Sequence, residues 1–137
     1  MKVRPNNGAT TVDMFDHLRA FLRKKPSHLI LHVGENDASR KNTSSDDIFD
    51  NLMDLKKFAE EKVAGLDVLI SCPTLRLDDN LANVKLRYLR NRLKRSGMKI
   101  ISNDNIASDH IGSKGLHLNK KGTANLASNF CRCIQYL

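Results

Sequence analysis

The chain has no tryptophan and only two tyrosines and five phenylalanines among its 137 residues. Flat rings on which bare bases stack are therefore scarce, which argues against single-strand binding of the stacking type. Cysteines number three, Cys72, Cys131 and Cys133. An odd count is no disulfide framework and reads as a reduced, intracellular chain. Cys131 and Cys133 lie two apart in a helical pattern, so they point to different faces, and no second pair completes a zinc site. Neither a metal nor a cofactor is expected. Long apolar runs are missing too: Leu29–Leu31 and Val68–Ile70 fall far short of the ~18 residues a spanning helix needs. Met1–Asn7 has no apolar stretch of the secretory kind. With no internal repeat, low-complexity tract or linker, residues 1–137 read as one domain.

What is present is ordinary globular composition, 40% apolar and 28% charged with mean hydropathy −0.44, and a charge of +8. The basic excess is local. Lys85 to Lys99 holds seven basic residues and no acidic one. A solvated outer face is the plainer reading of that run; a phosphate-tracking stripe of Lys85, Arg87, Arg90, Arg92, Lys94 and Arg95, extended by Arg23, Lys24 and Lys25 where helices adjoin, is the other.

Helical and extended patterns alternate along the chain. A short strand is expected at Lys2–Arg4. Thr10 or Thr11 is placed to cap a helix reaching Lys24, with Met14, Leu18, Phe21 and Leu22 on one face. His28–Val33 reads as a buried strand and Gly34–Ser45 as a polar loop. Ser44 or Ser45 begins a helix with Asp46 and Asp47 in its first turn and Ile48, Leu52, Leu55 and Ala59 as its stripe. Leu66–Ser71 is a second strand, Asp79–Ser96 a third helix burying Ala82, Leu86, Leu89 and Leu93, and Met98–Ile101 another strand. After a polar loop to Asn119, a last helix from Lys121 carries Leu126, Ala127, Phe130, Ile134 and Leu137 on one side. Continuously apolar strands separated by helices predict a parallel sheet covered on both faces, a three-layer α/β/α architecture of flavodoxin type. Ligands in such sheets sit beyond the strands' carboxyl ends, which selects the loops Pro5–Thr10, Gly34–Ser45, Cys72–Asp79 and Ser102–Asn119.

Two of these loops carry Gly34-Glu35-Asn36-Asp37 and Gly115-Leu116-His117-Leu118-Asn119 with Gly122 beyond. Each alone is a common turn or helix-start composition. Together, in this order, they resemble the SGNH hydrolases, the GDSL-type esterases and lipases, over nearly the whole chain. His32-Val33-Gly34-Glu35-Asn36-Asp37 is similar to that family's Gly-x-Asn-Asp block, Leu116–Gly122 to the block around its histidine, and Gly8-Ala9-Thr10-Thr11 to the block that supplies a glycine. The nearest flavour is the divergent version encoded by animal transposable elements. The resemblance implies acyl-ester hydrolysis of a small ester by a serine nucleophile. Gly8 would offer a backbone N–H and Asn36 its carboxamide to the oxyanion, and His117 would be the general base. Gly34 and Asp37 would support the loop.

Two departures weigh against turnover. No Gly-Asp-Ser occurs, so the nucleophile and its strand are missing and the chain reads as N-terminally incomplete. Where the family has an aspartate three residues before the histidine, this chain has Lys114. Losing that carboxylate in a serine protease costs about 10⁴ in turnover, and losing the nucleophile about 10⁶. Asp104 or Asp109 would have to fold back to replace the carboxylate. Ser71 and Cys72 sit at a strand's carboxyl end, though Cys72 reads as a small core hydrophobe and His32 as a residue within the sheet. The expectation is an esterase-like domain that is inactive or severely impaired. Its alternative is a basic module binding nucleic acid or a protein partner. A third reading completes the sheet with its missing N-terminal segment or with a strand of a second copy, as a homo-oligomer.

Overall fold

Three aliphatic runs align as a parallel sheet in this computed structural model, which describes residues 8–135. β1 (His28–Leu31), β2 (Asp67–Ser71) and β3 (Ile100–Ile101) stand in the order β1-β2-β3. Leu29 pairs with Val68, Leu31 with Ile70, and Ile70 with Ile100. Among the described residues, β1 pairs along one side only. The helices are α1 (Met14–Leu22), α2 (Glu35–Ala38), α3 (Ser45–Lys62), α4 (Asn80–Arg95) and α5 (Lys120–Gln135), with a 3₁₀ turn at Ser108–His110.

Side chains alternate along a strand, so the sheet has two distinct faces. Leu29, Leu31, Val68 and Ile70 point to one, where they join Ile48, Leu52, Leu55 and Ala59 of α3 and Ala82, Leu86, Leu89 and Leu93 of α4 in a single buried cluster. Burying each large aliphatic side chain contributes roughly 1.5–3 kcal/mol. Ile30, His32, Leu69 and Ser71 point to the other, the side of α5, whose Phe130 ring meets His32 edge-on at 6.1 Å. Helices on both faces make three layers.

Local signals set the two main helices. Ser44 and Asp47 form a reciprocal capping box, Asp47 N–H to Ser44 Oγ at 3.1 Å and Ser44 N–H to Asp47 Oδ2 at 2.9 Å. Asp79 caps α4 by accepting the Ala82 N–H at 2.9 Å, and Arg92, Lys94 and Arg95 occupy its last turn, where the helix dipole favours cations.

Elsewhere the structure differs from expectation. α1 starts only at Met14, after a turn that Thr10 opens and Thr11 does not cap: the Thr10 hydroxyl accepts the Asp13 N–H at 3.4 Å, and the Asp13 carboxylate accepts the Thr10 N–H and hydroxyl, each at 3.0 Å. The segment read as a plain loop after β1 contains the single-turn helix α2, entered through Gly34 at φ +131°, a conformation that favours glycine. β1 ends at Leu31, so His32 lies just beyond it. The apolar stripe of α5 is not a buried one: Ala127 and Ile134 are exposed, Leu126 and Phe130 half-buried, and the helix's buried side chain is Asn129. The sheet's second face meets α5 through hydrogen bonds as much as through hydrocarbon. The expected strand at Lys2–Arg4, and Leu137, lie outside the described residues.

Candidate active site

The loops beyond the carboxyl ends of β1 and β2 converge through long-range hydrogen bonds. Asp37, buried in α2, accepts both the Thr11 N–H (3.0 Å to Oδ1) and the Thr11 hydroxyl (2.6 Å to Oδ2). Burial pushes its carboxyl pKa up, against the lowering effect of those donors. Asn51 of α3 donates to the same hydroxyl at 3.1 Å. These bonds fix the Gly8–Thr11 segment beside α2. Asn36 Nδ2 then reaches the Ala9 carbonyl at 3.3 Å, adjacent to the exposed Gly8. Gly8 and Asn36 therefore come together. An open depression beside Gly8 is lined by Ala9, Asp13, Asp16 and His17.

Glu35 ties this turn to the end of β2. Its Oε1 accepts the Thr74 N–H at 3.0 Å and the His32 Nε2 hydrogen at 2.9 Å. Burial raises the Glu35 pKa, but the charge and hydrogen bond of His32, with the Thr74 donor, outweigh it and hold the carboxyl down at about 2. Burial likewise opposes charge on His32, and the Glu35 carboxylate raises its pKa above 6.5 nonetheless. His32 Nδ1 lies 2.9 Å from Ser71 Oγ. That oxygen accepts from Asn103 Nδ2 at 2.8 Å, and Asn103 Nδ2 donates also to the Cys72 carbonyl at 2.8 Å. Asn103 holds φ +56°, which asparagine tolerates better than most residues. Asn129 of α5 donates to Asn103 Oδ1 at 3.0 Å and to Asn105 Oδ1 at 2.8 Å.

The Glu35–His32–Ser71 chain has the carboxylate–imidazole–hydroxyl sequence of a hydrolytic triad. Ser71, however, has no exposed surface, and a nucleophile must reach a carbonyl carbon. The chain braces the strand ends. Cys72 is also fully buried in the core, and burial pushes its thiol pKa up, the direction of an unreactive thiol.

His117 sits on a loop closed by the antiparallel bridge Ile111–Leu118 and by the Gly112 N–H donating to the His117 carbonyl at 2.7 Å. Its imidazole is exposed. Gly115 packs this loop onto the segment after β2: its carbonyl accepts the Leu77 N–H at 2.7 Å, and a Cβ there would stand 2.7 Å from the Asp78 nitrogen. Asn119 Oδ1 accepts the Gly122 N–H at 2.9 Å and so caps α5. Arg76, buried, joins the two halves of the rim. Its Nη1 donates to the Glu35 carbonyl at 3.0 Å, while Nε and Nη2 grip Asp78 at 3.0 and 2.8 Å. Arg76 holds the Asp78 carboxyl below the usual range, with a smaller contribution from His117. Asp78 is thus a carboxylate within electrostatic reach of His117. Of the aspartates weighed from the sequence, Asp104 is committed to Arg90 and Lys94 on α4, and Asp109 is exposed beside His110 at 3.4 Å.

Glu35, Arg76 and Asp78 carry no role that the sequence indicated, and Thr11, His32 and Ser71 take roles other than the cap, sheet residue and strand-end nucleophile expected of them. The i,i+3 spacing of His32 and Glu35 across a turn was a usable signal. Arg76 offered none, since its partner Glu35 is 41 residues away.

The basic residues of α4 are largely occupied. Arg90 and Lys94 pair with Asp104, Arg92 pairs with Asp46 at 2.6 Å and lies over the Phe49 ring, and Lys85 donates to the Arg40 carbonyl. Arg87 and Arg95 are exposed. α1 packs on α3 and α3 on α4. No group of three or more potential metal ligands is found among the described residues, and no helix there is long and apolar enough to cross a membrane.

Comparison with solved structures finds the same fold in carboxylic-ester hydrolases. A lipase/acylhydrolase from Enterococcus faecalis superposes with a TM-score of 0.70 at 19% identity, over 93% of this chain and 71% of that one. A carbohydrate esterase family 3 protein from Talaromyces cellulolyticus gives 0.79 at 14% identity, over 98% and 75%. An acetyl esterase solved with an acetate ion gives 0.79 at 14%, over 94% and 68%. No family model matches the chain, and no curated protein matches it. The chain has the α/β/α fold of SGNH-type hydrolases.

Proposed function

We propose that this chain is an SGNH-type acyl-ester hydrolase domain whose turnover, in this chain, is severely impaired. One juxtaposition carries the reading. The Gly8–Ala9 turn and the Asn36 carboxamide meet on a rim that Arg76 links to the His117 loop, in a fold shared with esterases. A carboxamide has two N–H bonds, so Asn36 keeps one after bonding Ala9. With the Gly8 N–H it supplies two fixed donors for the oxygen of a tetrahedral intermediate, the arrangement that stabilises developing negative charge. His117, exposed at the rim, is the general base, and the substrate is a small ester.

The impairment follows from what this rim lacks. The chain has no Gly-Asp-Ser, Lys114 cannot orient an imidazole, and Ser71 is buried. Loss of a nucleophile alone removes about 10⁶ in turnover.

Two measurements test the proposal. Hydrolysis of p-nitrophenyl acetate at pH 8 is expected within about tenfold of buffer and unchanged by His117→Ala; faster turnover abolished by that substitution would refute the impairment. Titration with acetate is expected to shift the Gly8 amide and Asn36 side-chain NMR signals. Shifts that are absent, or that persist elsewhere in Asn36→Ala, would refute the oxyanion assignment.

A further inference from the structure

The outer face of α4, with Leu77 before it, carries four of the six large hydrophobics exposed among the described residues. Leu81 is 78% exposed, Tyr88 65%, Val84 50% and Leu77, just before the helix, 47%. Of the large hydrophobics exposed among the described residues, only Val12 and Ile134 lie elsewhere. Scattered exposed leucines need no explanation, but a contiguous row does.

The row has a specific spacing. Within α4, Leu81, Val84 and Tyr88 are separated by three and four residues, with Leu77 standing just before the helix. That is the a/d alternation of a helix-pairing seam. The core-facing residues Ala82, Leu86, Leu89 and Leu93 occupy the opposite side of the same helix, so the outer row is not part of the domain's own packing. With Leu81 and Tyr88 at position a and Val84 at d, the flanking e and g positions within α4 are Asn80, Lys85, Arg87, Arg92 and Lys94. All but Asn80 are basic, and α4 has no acidic residue. Arg92 and Lys94 are partly compensated by Asp46 and Asp104. Lys85 gives its hydrogen bond to a backbone carbonyl, and neither Lys85 nor Arg87 has an ion-pair partner among the described residues. Asn91 at d and Arg95 at a close the apolar part of the seam.

We infer that this face docks an acidic amphipathic helix from a different protein, with apolar residues at its a and d positions and Glu or Asp at e and g. Charge decides the occupant. A second copy would bring cation against cation along both flanks, and like charges at e and g oppose pairing. Nucleic acid would match the cations, but Leu81 and Val84 offer it nothing and Tyr88 is the row's single ring. A one-residue-wide row with heptad spacing fits a helix better than a lipid surface, which takes a broad apolar face. This inference is independent of the hydrolytic chemistry.

The test uses the whole chain and labelled helical peptides of about three heptads, one with Leu at a and d and Glu at e and g, the other with Lys at e and g. Fluorescence anisotropy is expected to show binding of the Glu peptide alone, weakening as salt rises. The double variant Leu81→Ser with Tyr88→Ser is expected to lose at least roughly tenfold in affinity while keeping its circular dichroism and melting temperature, since both side chains are exposed. Arg87→Glu should weaken the Glu peptide and not strengthen the seam's self-association. Equal binding of the two peptides, no binding of the Glu peptide at about 100 µM, or undiminished binding by the double variant overturns the inference. So does a dimer in sedimentation that Leu81→Ser dissolves, or capture by phosphatidylserine vesicles or single-stranded DNA without binding of the Glu peptide.

Discussion

The two faces of the sheet are built on different principles. Under α3 and α4 the contact is hydrocarbon: Ile48, Leu52, Leu55, Leu86, Leu89 and Leu93 have no exposed surface. On the α5 side buried Leu69 is accompanied by the buried polar groups Ser71, Asn103 and Asn129, joined through His32 to Glu35, while Phe130 is half-buried and Ile134 exposed. A hydrophobic face is held by area and tolerates small shifts. A polar face is held by directional bonds and is costly when one partner is removed. The first face carries the fold. The second positions the rim on which Asn36 and the Gly8 turn meet.

Substitutions can sharpen this contrast. The largest loss is expected from Leu89→Ala, about 2–5 kcal/mol by denaturant unfolding, because a fully enclosed leucine leaves a cavity. Asn129→Leu should follow at about 2–3 kcal/mol, although it adds hydrocarbon, because it strands Asn103, Asn105 and Arg132 without their partner. If Asn129→Leu instead stabilises the protein, the second face is an ordinary apolar one and the contrast fails.

Glu35→Gln should cost roughly 2 kcal/mol near pH 6, and its pH dependence has a definite sign. Glu35 is held at about 2 against an ordinary 4.5, so its contribution is present above 4.5 and lost as pH falls toward 2. His32 is raised above 6.5, so its contribution is complete below 6.5 and fades as pH climbs past the raised value. The difference in melting temperature between the native chain and Glu35→Gln should therefore peak between pH 4.5 and 6.5. A flat difference would mean that the pair is not charged. The smallest effect belongs to Ile134→Ser, within about 0.5 kcal/mol. A loss above 1 kcal/mol would show that α5 buries its stripe after all.

The sequence by itself determined the parallel sheet, the positions of α3 and α4, a serine cap for α3 at Ser44 or Ser45, and the loops that hold Gly8, Asn36 and His117. Those features rest on short-range rules: an apolar period of 3.6, a side-chain oxygen next to free N–H groups, a glycine that ends a helix. Only the tertiary structure decided that α5 turns Asn129 inward, that His32 bridges Glu35 to Ser71, and that Arg76 joins the Glu35 carbonyl to Asp78. These bonds span up to 41 residues. A hydrogen bond depends on distance and angle to a few tenths of an ångström, and no local periodicity encodes where two distant loops will meet. The same holds for the outer row of α4: its heptad spacing was present in the chain, but that no other element covers it became known only once the helix was packed.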